Sequence, residues 1–315
     1  MTTLGTSDLD VARLCLGGNV FGWTADEAAS FAVLDAYAEA GGDFVDTADV
    51  YSAWAEGHTG GESEAVIGRW LRARGNRDRV VVATKVGMLG EGGLDNLRAD
   101  TVATAAEASL RRLGVDHIDL YYAHQDDPAT PQEETLAAFD ALVRAGKVRH
   151  VAASNFTAER LASALAIAER EGFAPFVALQ PHYNLVERSY EEDLAAAVAG
   201  AGLSAVPYFG LARGFLTGKY RPGVEVASAR ASAASGYLDE RGLRVLAALD
   251  EVAAAHDTTV AAVGLGWLAA PPPGPAPTPR ARTVEQLADL LPVLELELKA
   301  EEVARLSAAS EPTAG

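Results

Sequence analysis

The feature that most constrains this chain is an alternation. Short β-branched or aliphatic runs recur between longer segments whose apolar residues fall three and four positions apart. That pattern predicts βαβ units around a parallel sheet. Strands are expected over residues 13–16, 43–46, 80–85, 118–124, 148–154, 176–180 and 204–208. Helices are expected over 25–40, 62–73, 99–113 and 131–144. Thr24 is placed to cap the first helix and Gly41 and Gly42 to stop it; Pro131 suits the first helical position of the fourth, which Gly146 ends.

The residues closing the second to seventh strands, Asp46, Lys85, His124, Ser154, Gln180 and Tyr208, recur at intervals of 39, 39, 30, 26 and 28. Each interval fits one βα unit. Eight such units fill about 250 residues in a closed (β/α)8 TIM barrel. The 315 residues accommodate one as a single domain over 1–315, with a doubly wound sheet as the alternative. Residues 4–16 read as an N-terminal β-hairpin around Thr6 and Ser7 that plugs the barrel floor. A long loop is expected over 209–236, after strand seven. The eighth strand should fall near 275–280, where the prolines of PPPGPAPTP remove backbone donors and disfavour an interior strand.

Composition removes several function classes. A formal net charge of -18 opposes unaided binding to nucleic acid or to anionic membranes, both of which need a positive face. The lone Cys15 can form no internal disulfide, and the six histidines show no zinc-ligand spacing, so no metal is expected. The first ten residues, MTTLGTSDLD, lack a basic segment and an apolar run, and no membrane-spanning stretch is present, so a reducing cytoplasmic location is expected.

A barrel carries its active site at the carboxyl ends of its strands. There the sequence places Asp46 in FVDTADVYS, Tyr51 just beyond it, Lys85 in VVVATKVG and His124 in LYYAHQDD. Taken singly, these read as a cap, packing or a solvated cation. Lys85 fits that reading least, because it follows nearly apolar positions and needs an anionic partner. Together they form a chemical set. A carboxylate pairs with a lysine whose charge lowers the tyrosine pKa from about 10 toward working pH, making Tyr51 a proton donor. His124 orients a substrate oxygen that becomes an alkoxide on hydride delivery.

With these residues the chain resembles the aldo-keto reductase family, whose catalytic tetrad is Asp, Tyr, Lys and His in that order. GGESEAVIGRWL, VAASNF, QPHYNL, PYFGLARGFLTGKY and ARTVEQL also look like family motifs, and the resemblance runs from about residue 4 to residue 310. It implies NADP(H)-dependent reduction of a small aldehyde or ketone. It also implies a nucleotide site. Ser154, Asn155 and Gln180 would hold the nicotinamide carboxamide, beside Asp46, and Tyr208 would stack on the ring. Gly18 and Asn19 join the cofactor set. The loop containing Phe209, Leu211, Gly214 and Lys219 would cover the pyrophosphate, while Arg282 and Gln286 would take the adenosine phosphate and adenine. Two positions depart from the family: Arg280 stands where Gly is usual and Leu290 where Asn is usual. Arg280 would add a cation for the 2′-phosphate or crowd the pocket.

Phe21, Trp23 and Trp54, in loops after the first two strands, are expected to wall an apolar substrate pocket. The motifs leave the carbonyl substrate and the oligomeric state open. Other nicotinamide folds fit poorly. Gly264, Gly266 and Ala269 imitate a dinucleotide fingerprint but lie in a helical pattern, and no Tyr precedes Lys by four. Arg213 and Tyr220 spoil a phosphate loop around Gly218 and Lys219, and Lys85 would repel a metal between Asp46 and His124. The alternative from another class is a nicotinamide-binding regulatory subunit, like the potassium-channel β-subunits that resemble this family.

Overall fold

Side chains on successive strand positions face opposite sides, and this chain uses the two sides differently. In the computed structural model, which describes residues 1–226, 231–271 and 276–311, seven parallel strands curl into a barrel. An antiparallel hairpin of β1 (Thr2–Thr3) and β2 (Asp10–Val11) precedes them. The barrel strands are β3 (Leu16–Gly17), β4 (Phe44–Asp46), β5 (Val81–Val86), β6 (Ile118–Ala123), β7 (Val148–Ser154), β8 (Phe176–Gln180) and β9 (Ser204–Ala205), neighbours in space in chain order. All seven expected strands overlap one of these, although the first begins at Leu16 rather than 13 and the last ends at Ala205 rather than 208.

Inward positions carry Phe44, Ala83, Leu120, Tyr122, Ala152 and Ala178, which pack on Leu4, Leu9 and Val11 of the hairpin. The hairpin therefore closes the floor. Outward positions such as Val45, Val82, Tyr121 and Val151 pack beneath the helices. These are α1 (Glu27–Glu39), α2 (Glu62–Arg74), α3 (Ala99–Leu113), α4 (Gln132–Arg144), α5 (Ala158–Glu171), α6 (Leu194–Gly200), α7 (Ala231–Ser235), α8 (Glu240–Ala255), α9 (Val260–Ala269), α10 (Val284–Ala288) and α11 (Ala300–Ala309). Two helix starts differ from expectation. Asp26, not Thr24, caps α1 by accepting from the Ala29 amide at 2.8 Å, and Pro131 is the residue before α4 rather than its first. A carboxylate two residues nearer the helix reaches an amide that Thr24 cannot.

The barrel closes through residues 276–279. The Pro277 and Pro279 carbonyls accept from the Cys15 and Gly17 amides at 3.0 and 2.8 Å, while the Thr278 amide donates to the Pro207 carbonyl at 2.8 Å. In an extended segment the two prolines share one edge, and there their carbonyls alone satisfy β3; the donor needed on the other edge belongs to Thr278. The prolines thus close the barrel without forming a regular strand. Residues 272–275 of the expected strand lie outside the described residues. The loop expected over 209–236 holds a 3-10 helix (Ala212–Thr217) and α7, and its residues 227–230 also lie outside the description. Gly264 and Gly266 sit within α9, where a Cβ on Gly266 would stand 3.1 Å from Leu296, so they serve helix packing.

Candidate active site

Lys85 faces the barrel interior one turn of pleat above Ala83 and is fully buried. Its Nζ donates to Asp46 Oδ2 at 2.6 Å, to the Thr47 carbonyl at 2.8 Å and to the Tyr51 hydroxyl oxygen at 2.8 Å. All three ammonium protons therefore have partners, the condition for keeping such a cation in a dry interior. The Tyr51 hydroxyl donates to Asp46 Oδ2 at 3.3 Å, and the Gln180 amide donates to Asp46 Oδ1 at 3.0 Å. The ring of His124 lies 6.0 Å from that of Tyr51, edge to face.

Local chain geometry holds Tyr51 in place. Residues 48–58 form successive turns, and buried Ser52 sits at φ 77°, in the left-handed region that costs a non-glycine residue roughly 1–2 kcal/mol. Gly60, at φ 95°, lies against this turn: a Cβ there would stand 2.6 Å from the Asp49 carbonyl. The return of the chain beneath Tyr51 thus requires glycine.

One electrostatic expectation is reversed. Burial, and then the charge of Asp46, push the Tyr51 phenol well above its usual range. Asp46 neutralises Lys85 by direct contact, so the lysine does not act as an isolated positive charge, and the phenol stays protonated. Burial first, and Lys85 second, push the His124 imidazole well below its usual value. His124 is therefore neutral at working pH and keeps one N–H donor; its Nδ1 is buried with no partner.

A second group joins β6, β7, β8 and the turn after β9. Ser154 donates to the Gln180 carbonyl at 3.0 Å, Asn155 donates to the His124 carbonyl at 2.9 Å, and the Tyr208 hydroxyl donates to Asn155 Oδ1 at 2.8 Å. These residues do not cap α5, because Thr157 does so by accepting from the Arg160 amide. Tyr208 presents its ring at the mouth with His182 stacked against it at 5.3 Å. His182 went unread in QPHYNL, as nothing in its spacing marked it.

The mouth is divided by charge. Residues 206–223 and 276–284 together contain Arg213, Lys219, Arg221, Arg280 and Arg282 and no acid. Among the described residues Arg213, Lys219, Arg280 and Arg282 make no ion pair, whereas Arg221 pairs with Asp250. The guanidiniums of Arg213 and Arg280 lie 5.5 and 5.7 Å from the ring of Phe209, and Arg280 Nη1 is buried without a partner. Near β3, Gly18 leaves no room for a side chain, since a Cβ would stand 2.9 Å from Ser63 Oγ and 3.0 Å from the Asp46 carbonyl, and Asn19 Oδ1 is buried and unpartnered. Unpaired cations and unused polar atoms suit an anionic dinucleotide. Leu211 and Gly214 stand in the same turn, Gly214 at φ 101°, and exposed Gln286 accepts from the Arg282 amide at 3.0 Å. Leu290 is 3% exposed and packs in the core, so the departure there is a packing substitution.

Of the three expected substrate-wall residues, two reach the mouth. Trp23 and Trp54 are exposed and meet edge to face at 5.4 Å; Trp54 also lies 6.3 Å from Tyr51. Phe21 is corrected: its ring is fully buried beneath Gly18, because its amide bonds to the Gly18 carbonyl and the tight turn folds the side chain into the core. Among the described residues no group of His, Cys, Asp and Glu is arranged to hold a metal, and no helix is long and apolar enough to cross a membrane.

Comparison with known proteins bears on this site. The model of the aldo/keto reductase family matches residues 13–311. The uncharacterized oxidoreductase YrpG of Bacillus subtilis is 36% identical over 307 residues, covering 95% of this chain and 92% of that protein. Norsolorinic acid reductase A of Aspergillus parasiticus is 30% identical over 308 residues, covering 93% of this chain and 76% of that protein. Protein tas of Escherichia coli is 30% identical over 328 positions, covering 96% of this chain and 95% of that protein.

Proposed function

This chain belongs to the aldo/keto reductase family, and on that premise we propose that it reduces a small aldehyde or ketone with NADPH, using Tyr51 as the proton donor. That it is a carbonyl-reducing, nicotinamide-dependent oxidoreductase follows from the family; the NADPH preference and the residue roles are our reading. The observation that carries it is the Lys85 ammonium, bonded at once to Asp46 and to the Tyr51 oxygen.

A nicotinamide, when bound, would supply a hydride to the carbonyl carbon. Tyr51 holds a proton at its hydroxyl because burial and Asp46 oppose its loss, and an alkoxide is basic enough to take it. As the proton leaves, the phenolate forms against Lys85, whose donor is already in place and needs no reorganisation. Asp46 keeps Lys85 charged and aimed. Neutral His124 offers its N–H to the substrate oxygen, which positions the carbonyl beside Tyr51.

Ser154, Asn155 and Gln180 would hold the carboxamide end of the nucleotide, and Tyr208 would offer its ring to the nicotinamide. Gly18 and Asn19 admit it beside β3. The turn of Phe209, Leu211, Gly214 and Lys219 would hold the pyrophosphate, and Arg280, Arg282 and Gln286 would hold the phosphorylated adenosine. A 2′-phosphate gives the unpaired guanidiniums a partner that NADH lacks, which is the basis of the preference for NADPH. Trp23 and Trp54 face the substrate. We place this machinery in one domain over residues 1–315 and in the cytoplasm. Titration of intrinsic tryptophan emission with NADPH and then NADH tests the nucleotide half: tighter binding of NADPH supports the reading, and equal binding contradicts it.

A further inference from the structure

Resting on that reading, we infer that the substrate is an uncharged or cationic aromatic carbonyl compound, and that carbonyls carrying a carboxylate or phosphate are excluded. Two independent observations carry this inference. The first is charge. The loops after β3, β4, β5 and β6, residues 18–26, 47–61, 87–98 and 125–131, contain seven acids against one base, the exposed Arg98 that precedes α3. Among the described residues the cation bonded at the reacting centre is Lys85, and its three donors are already committed to Asp46, Thr47 and Tyr51. Arg160 comes over this side from α5, but Asp126 takes it in a two-pronged bond at 2.7 and 2.9 Å. An anionic substituent entering here would lose its hydration, find the cation at the reacting centre already committed, and face loops in which acids outnumber bases seven to one.

The second observation is an aromatic path. Trp23, Trp54, Tyr51 and His124 form a chain of edge-to-face contacts at 5.4, 6.3 and 6.0 Å, leading from the surface to the proton donor. At its outer end Trp54 is 51% and Trp23 39% exposed, and Met88, two residues beyond the end of β5, is 38% exposed. These are three of the seven bulky apolar groups left open among the described residues. Exposed rings already disposed edge to face leave a place for another ring, and a thioether adapts to its outline. A flat aromatic body against Trp54 would bring a ring-borne carbonyl toward Tyr51 and His124.

The test uses 3-(4-formylphenyl)propanamide and 3-(4-formylphenyl)propanoate, whose two-methylene spacers keep the reactivity of the formyl groups matched, together with propanal. Each is assayed with NADPH against the unaltered chain and Trp54→Ala. The amide should exceed the carboxylate in kcat/KM by about tenfold or more, a gap that narrows as salt screens the loop carboxylates. Trp54→Ala should lower kcat/KM for the aromatic amide about tenfold more than for propanal. Equal use of amide and carboxylate, or equal losses for amide and propanal, would overturn the inference while leaving carbonyl reduction standing. No turnover of any of the three would overturn the reading beneath it.

Discussion

The two halves of the barrel mouth are built on the same strand ends but from opposite materials. The half formed by residues 206–223 and 276–284 carries five bases and no acid; the half formed by the loops after β3 to β6 carries seven acids, one base and two exposed tryptophans. In the proposed reaction each half meets a different partner. Fixed cations without counter-ions are retained where an anion will bind, and open aromatic surface is retained where an apolar body will bind. Lys85 stands at the seam, and its charge is consumed internally by Asp46.

Tyr51→Phe should lower carbonyl reduction by about 10²–10⁴-fold, because it removes the donor. Binding of NADPH, followed by tryptophan emission, should stay within about twofold, because the nucleotide half is untouched. Loss of both would mean that the halves are not separable. Lys85→Met should come next. It leaves Asp46 buried and unpaired, at a cost of about 3–5 kcal/mol in urea unfolding, and adding Asp46→Asn should return part of that loss. If the double variant is no more stable than Lys85→Met, the pair is not coupled as described.

Asp49 belongs to the acidic half but lies buried beneath it. Both of its carboxylate oxygens are buried without partners, and burial, with Glu64 nearby, pushes its pKa up to about 7. The folded state therefore holds this proton more tightly than the unfolded chain. The associated stability is full below about pH 4 and is lost as pH rises through about 7. Asp49→Asn should remove roughly 2 kcal/mol of that pH dependence, about half the ideal linkage value because water relaxes around the buried charge. Unfolding measured at pH 5 and pH 8 checks this, and an unchanged slope would assign the dependence elsewhere. The smallest expected effect lies on the cationic half. Arg282→Ala should weaken NADPH about tenfold more than NADH, and equal losses in titration would show that Arg282 does not read the 2′-phosphate.

Much of this division was legible before any coordinates. β7 and β8 fall where the β-branched runs predict, and the strand-end residues Asp46 and Lys85 meet at 2.6 Å. Period and spacing suffice there because strand alternation dictates which side chains reach the interior. Sequence reading was weaker where carbonyl direction or exact chain return decides the outcome. Pro277 and Pro279 argued against a strand, yet they close the barrel because only their acceptors are needed on the β3 edge. Phe21 and Trp23 looked equivalent by position, but a turn two residues long sends one ring into the core and the other to the surface. The raised Tyr51 pKa depends on Asp46 contacting both Lys85 and Tyr51, a three-body geometry that spacing does not encode. His182 and Arg213 likewise acquire meaning only through the rings of Tyr208 and Phe209 that they stack against.

The proposed reaction is hydride delivery from NADPH to a carbonyl carbon beside Tyr51. Its most direct measurement is the transfer of label from NADPH carrying deuterium at the transferable position of the nicotinamide to benzaldehyde, read by mass spectrometry of the benzyl alcohol formed. The account predicts deuterium on the carbinol carbon with the unaltered chain and loss of product with Tyr51→Phe. Alcohol formed without deuterium, or formed equally well by Tyr51→Phe, would contradict it.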